Sequence, residues 1–309
     1  MKKINIVFPI YNEEENIIKL FESILSLNIQ NYQFEYIFVD DGSTDQSLSK
    51  IKELSKKYDS IKYLSFSKNF GHQIALTAGL NYSDGDAIIM MDCDLQHPYK
   101  EIPNMIAKFE SNYDVVQMVK LNQGKRNTFI KLYSFFFYYL FRKFSNINLS
   151  NNVSDFRLIS KKVNSQLSNI NEKERFIRGL VQWVGFNYTE IGYVPNERIY
   201  GKSKYNLFKL LKLASFGIFA FTTIPLKLSL YFGITLSIFS FLYGLFAITK
   251  KLFYSQNIPI GYTDLIVFIT FIGGIQLISI GLIGLYVSKI YDQVRDRPLY
   301  IIKEKNINV

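Results

Sequence analysis

The 309-residue sequence holds a single cysteine, Cys93, which excludes an internal disulfide and any cysteine-based zinc site. It has no G-x-G-x-x-G and no true Walker A. Gly201-Lys202-Ser203 imitates the tail of the latter, but Asn196 stands where the leading glycine belongs. A pyrophosphate bound by this chain therefore needs a cation with lysine or arginine in place of a glycine-rich cradle. No secretory leader is expected either. Lys2-Lys3 precedes a short apolar run, but Pro9 and Asn12-Glu13-Glu14-Glu15 break it before any cleavage site. The N-terminal part is expected in the cytosol.

Positive charge is plentiful. The formal net charge is +10, yet mean hydropathy is slightly positive, a pairing unusual for a soluble nucleic-acid binder. No nucleic-acid partner is expected. The apolar residues crowd late in the chain, where basic flanks suit anionic lipid headgroups.

The first part alternates short apolar runs with helical patterns. Strands are expected at Ile4–Phe8, Tyr36–Val39, Ile61–Phe66, Ala87–Met91 and Asp114–Val119, and helices at Asp45–Tyr58 and His72–Asn81. Asn12 with Glu15, and Ser43 with Gln46, fit helix caps, and Pro98 fits the first turn of a further helix. Such alternation predicts an α/β, Rossmann-like, mainly parallel sheet. Phe129–Phe144, aromatic but basic at its ends, reads as either an interfacial or a buried helix.

The remainder reads as membrane. Residues 205–225 form a basic amphipathic juxtamembrane stretch, with Lys209 and Lys212 among leucines. Two uncharged runs follow within 226–289, at about 228–248 and 265–287, each long enough to cross a bilayer. Lysines and arginines precede the first run and follow the second. The positive-inside rule makes the pair a hairpin, with the domain at 1–204, the tail at 290–309 and both termini on the cytoplasmic side of a multi-pass membrane protein.

Chemistry centres on Asp92-Cys93-Asp94, at the end of the apolar fourth strand. Two carboxylates at i and i+2 make a hard oxygen site suited to Mg²⁺ or Mn²⁺. Asp40-Asp41 ends the second strand, and Tyr11 and Glu13 follow the first. Ligands of doubly wound sheets sit beyond the carboxyl ends of strands, so these clusters are expected at one rim. His72 and His97 read as loop or capping residues, and Arg175 and Arg178 as either surface charges or site residues.

Val7-Phe8-Pro9-Ile10-Tyr11-Asn12-Glu13-Glu14, Val39-Asp40-Asp41-Gly42-Ser43-Thr44-Asp45, Asn69-Phe70-Gly71 and Asp92-Cys93-Asp94-Leu95-Gln96-His97-Pro98 resemble glycosyltransferase family 2. More narrowly, the chain resembles the dolichol- or undecaprenyl-phosphate sugar synthases, including bactoprenol glucosyltransferases. Further matches are Asp155-Phe156-Arg157-Leu158, Arg175 to Leu180, Arg198 with Gly201 to Tyr205, and Gly284-Leu285-Tyr286 to Arg297-Pro298.

The resemblance implies a GT-A catalytic domain followed by a transmembrane helical hairpin. It also implies site roles. Pro9, Tyr11, Glu13, Val39 and Asp41 would hold the nucleoside, while Asp92, Asp94 and Gln96 would bind the metal, with Cys93 a small residue between them. Arg198 and Lys204 would meet the diphosphate, with Lys120 where relatives place an arginine. Arg157 either faces the acceptor phosphate or pairs with Asp155. The implied partners are a nucleoside-diphosphate sugar, a polyprenyl phosphate, the membrane and further copies of the chain.

The expected reaction is inverting transfer of one hexose to the lipid phosphate, from UDP-glucose in the first reading and GDP-mannose in the second. Arg157, Arg198, Asp92 and Asp94 would do the work. A processive polysaccharide synthase would carry Q-x-x-R-W, whereas this chain has only Gln182-Trp183. A non-catalytic scaffold or flippase component would not need the paired acids.

Overall fold

The computed structural model describes residues 1–121, 153–173, 175–196, 226, 229–236, 238–239, 242–243, 249 and 262–307. They fall in two units, one of residues 1–211 with 297–309 and the other of 212–296.

In the first unit an eight-stranded sheet runs in the order β7-β5-β6-β4-β1-β2-β3-β8. Its strands are β1 (Lys2–Ile10), β2 (Tyr32–Asp40), β3 (Ile61–Phe66), β4 (Ala87–Met90), β5 (Val115–Lys120), β6 (Val153–Ser160), β7 (Tyr188–Tyr193) and β8 (Ile302–Lys305). Strand β1 pairs in parallel with β2 and β4, as β2 does with β3 and β5 with β7. Strands β6 and β8 enter antiparallel. The order and the inserted antiparallel β6 define the GT-A fold.

The central strands carry apolar residues on both faces because both faces are covered. Ile4, Ile6, Val7 and Phe8 of β1 and all of β4 are buried. Pro9 is tolerated in a central strand because β4 ends at Met90, opposite Val7. Its missing N–H falls beyond the partner strand.

Helix α1 (Ile17–Leu25) buries Ile17, Leu20, Phe21 and Ile24, an i, i+3, i+4, i+7 stripe. Then come α2 (Ser47–Lys57), α3 (His72–Asn81) and α4 (Ile102–Glu110), the last preceded by a 3₁₀ turn at Tyr99–Glu101. Helix α3 lies close on β1 and β2 at Gly79, where a Cβ would collide with Val7 and press on Val39. Helices α5 (Lys161–Asn169) and α6 (Ile177–Trp183) follow β6.

Two caps differ from expectation. Helix α1 starts at Ile17 rather than after Asn12, which sits at φ 56°. Asn12 instead accepts the Thr44 amide proton at 2.8 Å, while its own amide donates to Ser43 Oγ. Helix α2 starts at Ser47, whose amide is held by Asp45. These bonds zip the β1–α1 loop to the β2–α2 loop, and cross-loop bonding wins over a local capping box.

The tail adds an edge. Strand β8 pairs with β3, Asn306 bonds the backbone of both Ile61 and Tyr63, and Tyr300 stacks on Phe66 at 5.0 Å.

In the second unit, α7 (Tyr262–Val294) is one 33-residue helix. Phe271–Val294 is long and apolar enough to cross a bilayer, and its most apolar stretch is not buried. Residues 229–236 are helical. Ser229 bonds Ser279 at 2.8 Å, and Tyr243 stacks on Phe268 at 6.1 Å. Ser229, early in the first segment, meets the later part of α7, while Tyr243, further on, meets its earlier part, so the two segments run antiparallel. The rest of the first apolar run, the juxtamembrane stretch and the aromatic segment lie outside the described residues.

Candidate active site

The parallel strands deliver their C-terminal ends to one rim. Tyr11 follows β1, Asp40 ends β2, Asp92 comes two residues after β4, and Lys120 ends β5. Tyr11 is 39 % exposed there. Glu13 accepts from the Asn16 amide group at 2.7 Å. Pro9 and Val39 are register partners inside the sheet and are buried, so they form the floor beneath the rim. Arg198 and Lys204 lie outside the described residues.

The turn after β4 alternates. Asp92, Asp94 and Gln96 are partly exposed, while Cys93, Leu95 and His97 are buried. Burial pushes the Cys93 thiol well up, with Glu13 and the two aspartates adding to it, so it remains a neutral packing group. Leu95 adopts φ 60°, a left-handed conformation costing about 1–3 kcal/mol for a non-glycine residue. Asp94 Oδ1 accepts the Gln96 amide proton at 3.2 Å.

His97 anchors the turn from within. Its Nδ1 accepts the Asp92 amide proton at 3.1 Å, its Nε2 meets Ser154 Oγ at 3.0 Å, and its ring stacks on Phe156 at 5.0 Å. Burial lowers the imidazole pKa. A neutral ring protonated at Nε2 satisfies every contact.

Beside the turn lies an ionic cluster. Asp155 Oδ1 meets Arg178 Nε at 2.9 Å, and Asp155 Oδ2 accepts from Gln73 Nε2 at 3.3 Å. His72 Nε2 stands 3.5 Å from Asp92 Oδ1 and 3.6 Å from Asp155 Oδ2. Desolvation pulls the His72 pKa down, but Asp92 and Asp155 prevail and push it up to about 9. Arg157 is fully buried on β6, donating Nη2–H to the Ser154 carbonyl at 2.8 Å. Burial brings its pKa down to about 10 against the pull of Asp155.

Sequence reasoning left Arg178 open between surface and site, offered Asp155 only as a partner for Arg157, and missed the roles of His72, Gln73 and Asn196. For His72 and Gln73 the signal was position alone, directly after Asn69-Phe70-Gly71.

Among the described residues no group of three His, Cys, Asp or Glu side chains is arranged to hold a metal ion by itself. A divalent ion here would be held by two carboxylates and completed by substrate oxygens, the usual habit of Mg²⁺. The residues fit it. Asp92 Oδ1 is buried without a hydrogen bond, its ion pair with His72 standing long at 3.5 Å, and a cation would lower the remaining cost of burial.

The GT-A sheet with an acidic turn after its fourth strand defines the class. The glycosyl transferase family 2 model matches residues 5–168, and the chain belongs to that family. It is 41 % identical over 301 residues to an uncharacterized glycosyltransferase of Bacillus subtilis, covering 97 % of this chain and 93 % of the relative. It is 38 % identical to the bactoprenol glucosyl transferase of Shigella phage SfII over 305 residues, 98 % of each. Among solved structures, glucosyl-3-phosphoglycerate synthase from Mycobacterium tuberculosis superposes with a TM-score of 0.48 at 18 % identity, over 69 % of this chain and 75 % of that one.

Proposed function

We propose that the chain transfers a single hexose, with glucose from UDP-glucose as first choice, from a nucleoside-diphosphate sugar to the phosphate of a membrane polyprenyl phosphate. The observation carrying this reading is Asp92 Oδ1, among the described residues buried without a hydrogen bond and met only by His72 at 3.5 Å, on a rim shared with Tyr11, Asp41 and Lys120. The near full-length relatives named bactoprenol glucosyl transferase support the acceptor and the sugar.

Tyr11 and Glu13 border the nucleoside, with Asp41 shaping the loop beneath. Asp92, Asp94 and Gln96 would hold a divalent ion, which when bound supplies charge neutralisation of the departing diphosphate. Lys120, and Arg198 and Lys204 by resemblance, add positive charge for the same group. The acceptor is a phosphate monoester already ionised near pH 7, so it attacks the anomeric carbon without a strong base. In-line attack inverts that carbon, giving a β-linked product from an α-linked donor. His72 and Arg178 bring donor hydrogens to the rim beside Asp92, a setting suited to the acceptor phosphate.

The two apolar segments form a membrane hairpin with the catalytic domain and both termini cytoplasmic. Attachment confines enzyme and lipid to one surface and raises their effective concentration. The assembly is a homo-oligomer.

Purified protein incubated with polyprenyl phosphate, Mn²⁺ and labelled UDP-glucose, UDP-galactose, UDP-N-acetylglucosamine and GDP-mannose tests this. Label should pass to the lipid fraction from UDP-glucose. No transfer from any donor to lipid would sink the reading.

A further inference from the structure

The Asp92–His97 turn is held from two sides by residues that carry no charge to the site. Inside, His97 is 3 % exposed and accepts the Asp92 amide proton through Nδ1. It is fixed in turn by Ser154, whose Oγ also accepts the Phe156 amide proton at 3.1 Å. Outside, Asn196 follows β7 and bonds the same turn twice. Its amide N–H donates to the Gln96 carbonyl at 3.1 Å, and its Nδ2 donates to the Leu95 carbonyl at 3.2 Å. Between these anchors sits Leu95 at φ 60°. A left-handed leucine does not hold itself there, since the surrounding contacts must over-determine it.

The left-handed residue folds the chain after the acids back on itself, so that His97 reaches the Asp92 amide and the Gln96 carbonyl reaches Asn196. Relaxing it would release both anchors from the segment that carries Asp92 and Asp94. The geometry points to His97 and Asn196 as a pair of positioning residues, clamping the turn so that Asp92 and Asp94 keep the spacing a divalent ion with a nucleoside diphosphate requires. This rests on the metal reading of the acids. Both act on the site through backbone atoms of the turn, at Asp92, Leu95 and Gln96. Outer contacts of this kind change metal affinity by about 10–100-fold.

Conservative variants separate positioning from packing. In His97→Asn the amide oxygen stands where Nδ1 stood and keeps the Asp92 bond. In His97→Gln the amide reaches towards Ser154 and leaves the Asp92 amide without its acceptor. Asn196→Asp keeps shape and the backbone bond but sets a carboxylate oxygen against the Leu95 carbonyl. Asn196 is solvent-exposed, and an unfolding midpoint at the wild-type value checks that this variant is folded. The full-length protein is titrated with Mn²⁺ beside UDP or GDP, whichever the wild type binds, with bound Mn²⁺ read by electron paramagnetic resonance. The Mn²⁺ activation constant and kcat for transfer are measured in parallel.

The expected result is about tenfold weaker Mn²⁺ binding and a matching rise in activation constant for His97→Gln and Asn196→Asp. Their kcat at saturating Mn²⁺ should stay within about threefold of wild type, and His97→Asn should bind Mn²⁺ within about twofold. Wild-type Mn²⁺ binding in His97→Gln and Asn196→Asp overturns the clamp. An Asp92→Ala arm separates the two claims. If Asp92→Ala loses Mn²⁺ while the clamp variants keep it, only the clamp fails. If Asp92→Ala also binds as wild type, the metal reading fails and takes the clamp with it.

Discussion

The carboxylate of Asp41 accepts the Phe70 amide proton at 2.6 Å and the Gly71 amide proton at 2.9 Å. The end of β2 thereby fixes the Asn69-Phe70-Gly71 loop, which in turn starts α3 and sets His72 at the rim. Burial raises the Asp41 pKa, and the two amides work against it. Asn at this position would offer one oxygen and turn an N–H₂ against a backbone N–H. We expect Asp41→Asn to cost about 1–3 kcal/mol, read as a lower midpoint in chemical or thermal unfolding. An unchanged midpoint would show that the loop is held by other contacts.

Asp155 is the hub of the ionic cluster, 11 % exposed. Burial alone would raise its pKa, but Arg178, then His72 and Arg157, hold it well below the usual carboxylate range. The folded form therefore binds this proton less readily than the unfolded chain does. Its stabilisation is complete above the unfolded value of about 3.9 and drains away as pH falls below that. Asp155→Asn should lower stability at pH 7 by about 3–5 kcal/mol, since buried cations lose their counter-charge. It should also flatten the acid limb of a Tm–pH profile. A parallel acid limb in the variant would contradict this.

The contrast between β4 and β6 explains what was legible in the sequence. Ala87–Met90 is uniformly apolar and reads as a buried strand directly, as does Ile61–Phe66. Strand β6 lies just as deep, between β4 and β5, but carries Asp155 and Arg157 mid-strand, so its pattern reads as a motif instead of a strand. The acidic turn was legible because its chemistry is local, two carboxylates two residues apart. Its supports were not, because His97, Ser154 and Asn196 meet only through the sheet. Asn12 misled for the same reason: a capping pattern is local, and its actual partner, Thr44, is 32 residues on.

Strand β8 closes the β3 edge of the sheet, where unpaired backbone would otherwise invite other chains. Asn306 is its clasp, donating to the Ile61 carbonyl and accepting the Tyr63 amide proton. Asn306→Ala should cost about 1–2 kcal/mol and lower Tm by a few degrees, with faster aggregation on heating in light scattering. A variant as stable and as soluble as wild type would mean that β8 contributes little.

The Ser229–Ser279 contact at 2.8 Å brings two side chains within disulfide reach if both become cysteine. We expect Ser229→Cys/Ser279→Cys to form an intramolecular crosslink under mild oxidation in membranes, seen as a mobility shift reversed by reductant. Cys93 is buried and should not compete. Only intermolecular crosslinks, or none, would refute the antiparallel packing.

Sugar transfer by Asp92→Ala, assayed with purified protein, polyprenyl phosphate and Mn²⁺, bears most directly on the central claim that this acid serves the departing diphosphate. With a wild-type unfolding midpoint, the variant should lose at least about a hundredfold in rate, the scale of losing one preorganised electrostatic partner. Transfer at the wild-type rate would contradict the account.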